Sequence, residues 1–151
     1  MNPHIFKTVD VGVFAVANLI NLFLAVMFAA RGRRDQRLEK GAGLAVVLSA
    51  FPLVAASVLN AVGHRSGWTW GLPLFMIAFC VVEYLLDYAL KINFRNSRAV
   101  RPYLILFYLA LLALIGYSFL LGKTYGYATL ATYFLQLGAT AYSYGRVKHG
   151  G

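Results

Sequence analysis

Charged side chains along this chain are gathered into short runs, and the long stretches between them carry almost none. Five such stretches stand out, at about residues 9–30, 41–63, 70–91, 102–122 and 125–145. Each is close to the ~20 residues that an α-helix needs to cross the hydrocarbon of a bilayer. The pattern predicts an all-α integral membrane bundle of five transmembrane helices, forming a single domain over residues 1–151. The fifth stretch is the least apolar, being rich in Thr, Tyr and Gly, and an interfacial or re-entrant helix is its alternative reading.

The connections differ in charge in an alternating way. The runs from Arg31 to Lys40 and from Lys91 to Arg101 are basic, whereas Gly63 to Gly71 and Gly122 to Thr124 are nearly neutral. If the basic connections face the cytoplasm, eleven of the 14 Lys and Arg lie on that side, with only Lys7, Arg65 and Lys123 opposite. Such a bias predicts an outside N-terminus, a cytoplasmic C-terminus and residence as a multi-pass protein of the cytoplasmic membrane. Arg31, Arg33 and Arg34 follow the first stretch directly and would hold that end in the cytoplasm, so the segment is expected to be retained rather than removed as a signal peptide. Trp68 and Trp70 in the outer connection, with Tyr103, Tyr125, Tyr127, Tyr142 and Tyr144 near span ends, are placed as interfacial anchors.

Composition strengthens this picture and removes alternatives. The chain is 60% hydrophobic and 13% charged, against about 25% charged in an ordinary soluble domain. The formal charge of +9 is not read as a nucleic-acid signal, because no soluble basic face or binding module accompanies it. Its expected partners are the lipid bilayer and anionic lipid headgroups on the cytoplasmic side. Arg31, Arg33, Arg34, Arg95, Arg98 and Arg101 are the candidate contacts to headgroups or phosphate. The single cysteine, Cys80, excludes an internal disulfide and a cysteine-ligated metal. Haem would need two histidines at one depth, and only His4 with His64 could approach that. No cofactor, metal site or catalytic residue is expected, and no phosphate-loop, dinucleotide, zinc-protease or nucleophile-elbow pattern is present.

The strongest chemical feature is Glu83, Asp87 and Lys91, spaced to stack on one helical face of the third stretch. Two carboxylates one turn apart in a low-dielectric setting repel, so the pair is a candidate proton or cation acceptor. The competing reading is an ion-pair network, with Asp87 on Lys91 and Glu83 on an arginine or tyrosine of a neighbouring helix. Other stretches carry polar stripes, and Asn18, Asn21, Asn60, His64, Gln136 and Tyr133 are the candidate lining of a hydrated cavity. Interhelical hydrogen-bond glue is the alternative. The fourth stretch, nearly all aliphatic from Leu104 to Ile115, is expected to face lipid or a partner.

These residues carry no resemblance to a known family. The leading expectation is binding or transport of a small polar solute, proton or cation through a homo-oligomeric bundle. The alternatives are an accessory subunit among other membrane subunits, and a membrane enzyme acting on a lipid or phosphorylated substrate.

Overall fold

The computed structural model describes residues 3–90 and 100–149, and these are helical almost throughout. Helix α1 runs over Pro3–Gly32, α2 over Gln36–Leu48, α3 over Ala50–Val62, α4 over Gly67–Glu83, α5 over Val100–Leu121 and α6 over Lys123–His149. Helices α2 and α3 form one rod interrupted at Ser49. The interruption follows from Pro52, which has no N–H for the carbonyl four residues back and whose ring crowds that carbonyl. Below Glu83, α4 widens into a π-helical turn over Tyr84–Ala89, closed by the Leu90 N–H donating to the Leu85 carbonyl at 2.8 Å.

Four rods combine the length and apolarity to cross a membrane: His4–Gly32, Gln36–Val62, Gly67–Ala89 and Val100–Leu121. Helix α6 is poorer in apolar residues but has 27 residues, about 40 Å at 1.5 Å per residue. It lies beside α1 and parallel to it. Phe14 meets Tyr125, Asn18 meets Thr129, Asn21 meets Thr132, and Gly32 packs under Tyr142. The fifth stretch therefore covers the same depth as the first, and the described chain ends opposite to where it begins. Successive rods alternate in direction. Cys80 reaches back to the Val46 carbonyl, Tyr103 lies against Glu83, and Ser118 against Thr129.

Two of the turns close in the same way. After α1 the Asp35 N–H donates to the Ala30 carbonyl at 3.0 Å, and after α3 the Arg65 N–H donates to the Asn60 carbonyl at 3.1 Å. This six-to-one closure needs a left-handed residue just before the donor, and Arg34 (φ 63°) and His64 (φ 52°) take that place instead of glycine.

Helix α5 differs from expectation. It has the largest buried share of the four apolar rods, with Phe107, Leu111, Leu114 and Tyr117 in the core. Aliphatic character could not distinguish a central helix from a lipid-facing one, because lipid tails are as apolar as leucine. Its Phe107, Leu111 and Leu114 join Ile20 and Leu24 of α1, Leu53 of α3, and Met76 and Phe79 of α4 in a continuous apolar layer across the middle of the bundle.

Candidate functional site

Polar groups occupy three levels of the bundle, one on each side of that apolar layer and one beside it between α1 and α6. At the Asp10 end, the Arg65 guanidinium binds the Asp10 carboxylate through both terminal nitrogens, at 2.6 and 3.1 Å. The fully buried Tyr117 hydroxyl donates to the same carboxylate at 2.7 Å. Arg65 also donates to Asn60 Oδ1 at 2.9 Å and lies over the Phe6 ring, 5.1 Å from its centre. Hydrogen bonding to Asp10 raises the Arg65 pKa above its ordinary value. Asn60 Nδ2 donates to the Thr69 carbonyl at 3.1 Å. That carbonyl stands four residues before Pro73, which has no N–H to give it, so the amide replaces a missing helical bond.

Between α1 and α6, Asn18 Nδ2 donates to Thr129 Oγ1 at 3.2 Å, and Asn21 Nδ2 donates to Thr132 Oγ1 at 2.9 Å. Thr132 Oγ1 donates in turn to Asn18 Oδ1 at 2.9 Å, and Thr129 Oγ1 reaches Ser118 Oγ at 2.9 Å. These amides are engaged with neighbouring helices. Gln136 is fully buried on α6, with Nε2 donating to Thr140 Oγ1 at 3.0 Å and Oε1 lacking a hydrogen-bond partner among the described residues. Tyr133 is half-buried and packs against the core. His64 is exposed in its turn, where its structural role is backbone closure.

The third level lies at the basic end and holds two adjoining cavities. The smaller, of about 150 Å³, is walled by aromatic rings, among them Phe28, Phe79, Tyr103, Phe107 and Tyr108. The larger, of about 670 Å³, is a vestibule lined by Arg31, Glu39, Lys40, Glu83, Asp87 and Tyr88. Met27, Arg31, Gly43 and Glu83 border both cavities. Glu83 thus stands at their junction. It is 8% exposed, and its carboxylate accepts from the Tyr103 hydroxyl at 2.5 Å. The π-helical turn carries Asp87 to the vestibule wall, while Lys91 lies outside the described residues. Arg31 is held by Glu39 at 2.8 Å, with its guanidinium 5.3 Å from the centre of the Phe28 ring.

Glu83 and Asp87 therefore meet at one cavity, whereas Asn18, Asn21, Asn60, His64 and Tyr133 border neither of the two at this end. Gln136 stands behind Thr140, which does line the smaller cavity. Of the basic candidates, Arg31 belongs to the site, Arg33, Arg34 and Arg101 are exposed, and Arg95 and Arg98 lie outside the described residues.

Three participants carry no chemical signal of their own in the sequence. In the sequence Tyr103 falls near a span end, Tyr117 within an aliphatic run, and Arg65 in a nearly neutral connection. The readable signal was complementarity: Arg65 and Asp10 are oppositely charged and both fall at the sparsely charged end.

Fold and site define a helical membrane bundle with a buried acid at the head of a vestibule open at one end. Scans of this chain against protein-family models, curated proteins and solved structures find no match.

Proposed function

We propose that the protein binds a small cation, the proton included, at Glu83 and carries it across the membrane as an assembly of several copies. The observation that carries this reading is the burial of the Glu83 carboxylate at the junction of an apolar cavity and a polar vestibule. An acid so deep in a membrane protein is costly and is characteristically part of a site or a path. Tyr103 orients one carboxylate oxygen of Glu83 by donating its hydroxyl hydrogen to it. The vestibule faces the cytoplasm in this reading, because the basic turn from Arg31 to Lys40 lies at its rim.

Transport requires the apolar layer to part and the Asp10 clasp to loosen, so the Asp10 end is the closed side of the arrangement described. Flux of protons and small cations into vesicles containing the purified protein tests the proposal. Glu83→Gln is expected to abolish flux, with Glu83→Asp retaining part of it and both variants remaining folded. Unchanged flux in a folded Glu83→Gln protein would refute the role of Glu83.

The accessory-subunit reading draws on the Asn18, Asn21, Thr129 and Thr132 bonds, which pin α1 to α6 with no ligand needed. Under that reading, protein gently extracted from its own membrane carries companion chains in fixed stoichiometry and purified protein shows no flux.

A further inference from the structure

A furrow of about 530 Å³ runs between α1 and α2 at the basic end, and it shares no lining residue with the two cavities that meet at Glu83. Phe23 and Val26 line it from α1, and Leu38, Ala42 and Ala45 line it from α2. Val26 is 41% and Leu38 48% exposed, and a Cβ added at Gly41 would meet nothing within 4 Å, so the furrow is open along the outside of the bundle. Arg37 stands at its polar end and Ala45 at its apolar end, about 12 Å apart at 1.5 Å per residue. A charged rim above an apolar trough has the profile of a phospholipid, with the headgroup level with the turn and an acyl chain below it.

The sign of the charge at the rim follows from a complete account of the acids. The chain's five acids are Asp10, Asp35, Glu39, Glu83 and Asp87, all among the described residues, so Lys91, Arg95 and Arg98 outside that set add only positive charge. Glu39 is engaged by Arg31, and Asp35, which also lines the furrow, accepts from the Leu38 N–H at 3.1 Å. The Arg33 and Arg37 side chains are exposed and make no hydrogen bond or ion pair among the described residues. A second copy seated here would bring its own basic turn to the same depth, like charge against like, whereas a phosphate at that depth is complementary. We propose that this furrow binds an anionic phospholipid, with one acyl chain between α1 and α2 and the phosphate on the Arg37 guanidinium. Arg33 adds to the attraction from the same turn. A guanidinium meets a phosphate through two parallel N–H bonds. A choline headgroup would set its quaternary ammonium beside the same arginines, so the site selects a lipid of net negative charge. This site is independent of the role given to Glu83.

Native mass spectrometry of the purified full chain in detergent tests this by titration with phosphatidylglycerol and phosphatidylcholine of identical acyl chains, and with glycerophosphoglycerol, the same headgroup without chains. Phosphatidylglycerol is expected to bind about tenfold or more tightly than phosphatidylcholine, and glycerophosphoglycerol not measurably. Arg37→Gln should lower phosphatidylglycerol affinity by about fivefold, whereas Arg101→Gln, an exposed arginine remote from the furrow lining, should change it by less than about twofold. Ala45→Trp, which fills the trough, should weaken both phospholipids. Equal affinities for the two phospholipids in the wild-type protein would overturn the proposal. Equal losses in Arg37→Gln and Arg101→Gln would overturn it in favour of a diffuse attraction to the basic face, and binding of glycerophosphoglycerol as tight as the lipid would overturn the acyl trough. A lipid-free dimer broken by Ala45→Trp would assign the furrow to a second copy instead. The wild-type and arginine comparisons decide the matter even if Ala45→Trp fails to fold.

Discussion

Removing the charge at Asp10 should loosen the closed end of the bundle by an amount that can be estimated from its geometry. Asp10 and Arg65 meet through two bonds, with side-chain exposures of 18% and 25%. At an effective dielectric near 20, unit charges about 4 Å apart attract by about 4 kcal/mol. Partial access to water and remaining partners reduce this. Asn60 still accepts from Arg65 after Asp10→Asn, and the Phe6 ring still lies beneath the guanidinium. The net loss expected for Asp10→Asn is about 2–3 kcal/mol, below the 3–5 kcal/mol typical of a fully buried broken pair. Arg65→Gln should cost a similar amount, and the double variant should cost little more than either alone. The coupling is therefore predicted at about 2 kcal/mol, measured by reversible unfolding in mixed micelles. Additivity of the two single changes to within about 0.5 kcal/mol would refute the pair as a clasp. The sign of the pH dependence also follows. Because the folded-state pKa of Arg65 is raised, its contribution is complete below the ordinary arginine value and is lost only as pH rises through the raised one. Alkaline pH short of arginine titration should leave that contribution intact.

Other parts of the structure make independent predictions. Asn60→Ala should be less destabilising in a Pro73→Ala background, where the restored N–H at position 73 bonds the Thr69 carbonyl. An equal cost in both backgrounds, measured by thermal unfolding, would show that the amide does not substitute for that bond. His64→Gly should stabilise the protein by about 1 kcal/mol by relieving the left-handed backbone, and a loss of flux in the stable variant would instead assign the imidazole a part in transport. Asn21→Ala should cost about 0.6–1.7 kcal/mol, the range of interhelical hydrogen bonds in membranes, and a much larger loss would point to a role beyond joining α1 to α6. Gly126→Leu should weaken the α5 and α6 packing, since even a methyl there overlaps the Phe119 ring, and unchanged melting would refute that close approach.

The helical bundle was legible because a bilayer imposes a coarse rule, a long uncharged run between polar connections, and the described helices follow it. The Glu83 and Asp87 juxtaposition was legible for a related reason: an acid inside an apolar run has few neutral explanations. What the sequence hid were events needing a second helix. Pro73 is visible as a residue without an N–H, but not the Asn60 amide that replaces it. From the sequence, helix α5 reads as facing lipid or a partner because its aliphatic side chains suit lipid, partner and core equally. Two of its tyrosines, Tyr103 on Glu83 and Tyr117 on Asp10, instead make it the helix that serves both acids. They are 14 residues apart, about 21 Å along the helix. The Asn18 and Asn21 stripe was visible as polarity, but whether a stripe lines water or binds another helix depends on the partner face, here Thr129 and Thr132 of α6.

One-sided access to the residue at position 83 is central to the proposed path. The most direct measurement is the rate at which a membrane-impermeant thiol reagent modifies Glu83→Cys in a Cys80→Ala chain, applied separately to each face of sealed vesicles. Modification from the face bearing the Arg31 to Lys40 turn should be about tenfold or more faster than from the Asp10 face, because the vestibule opens on the first and the apolar layer closes the second. Equal rates from the two faces, or faster modification from the Asp10 side, would contradict it.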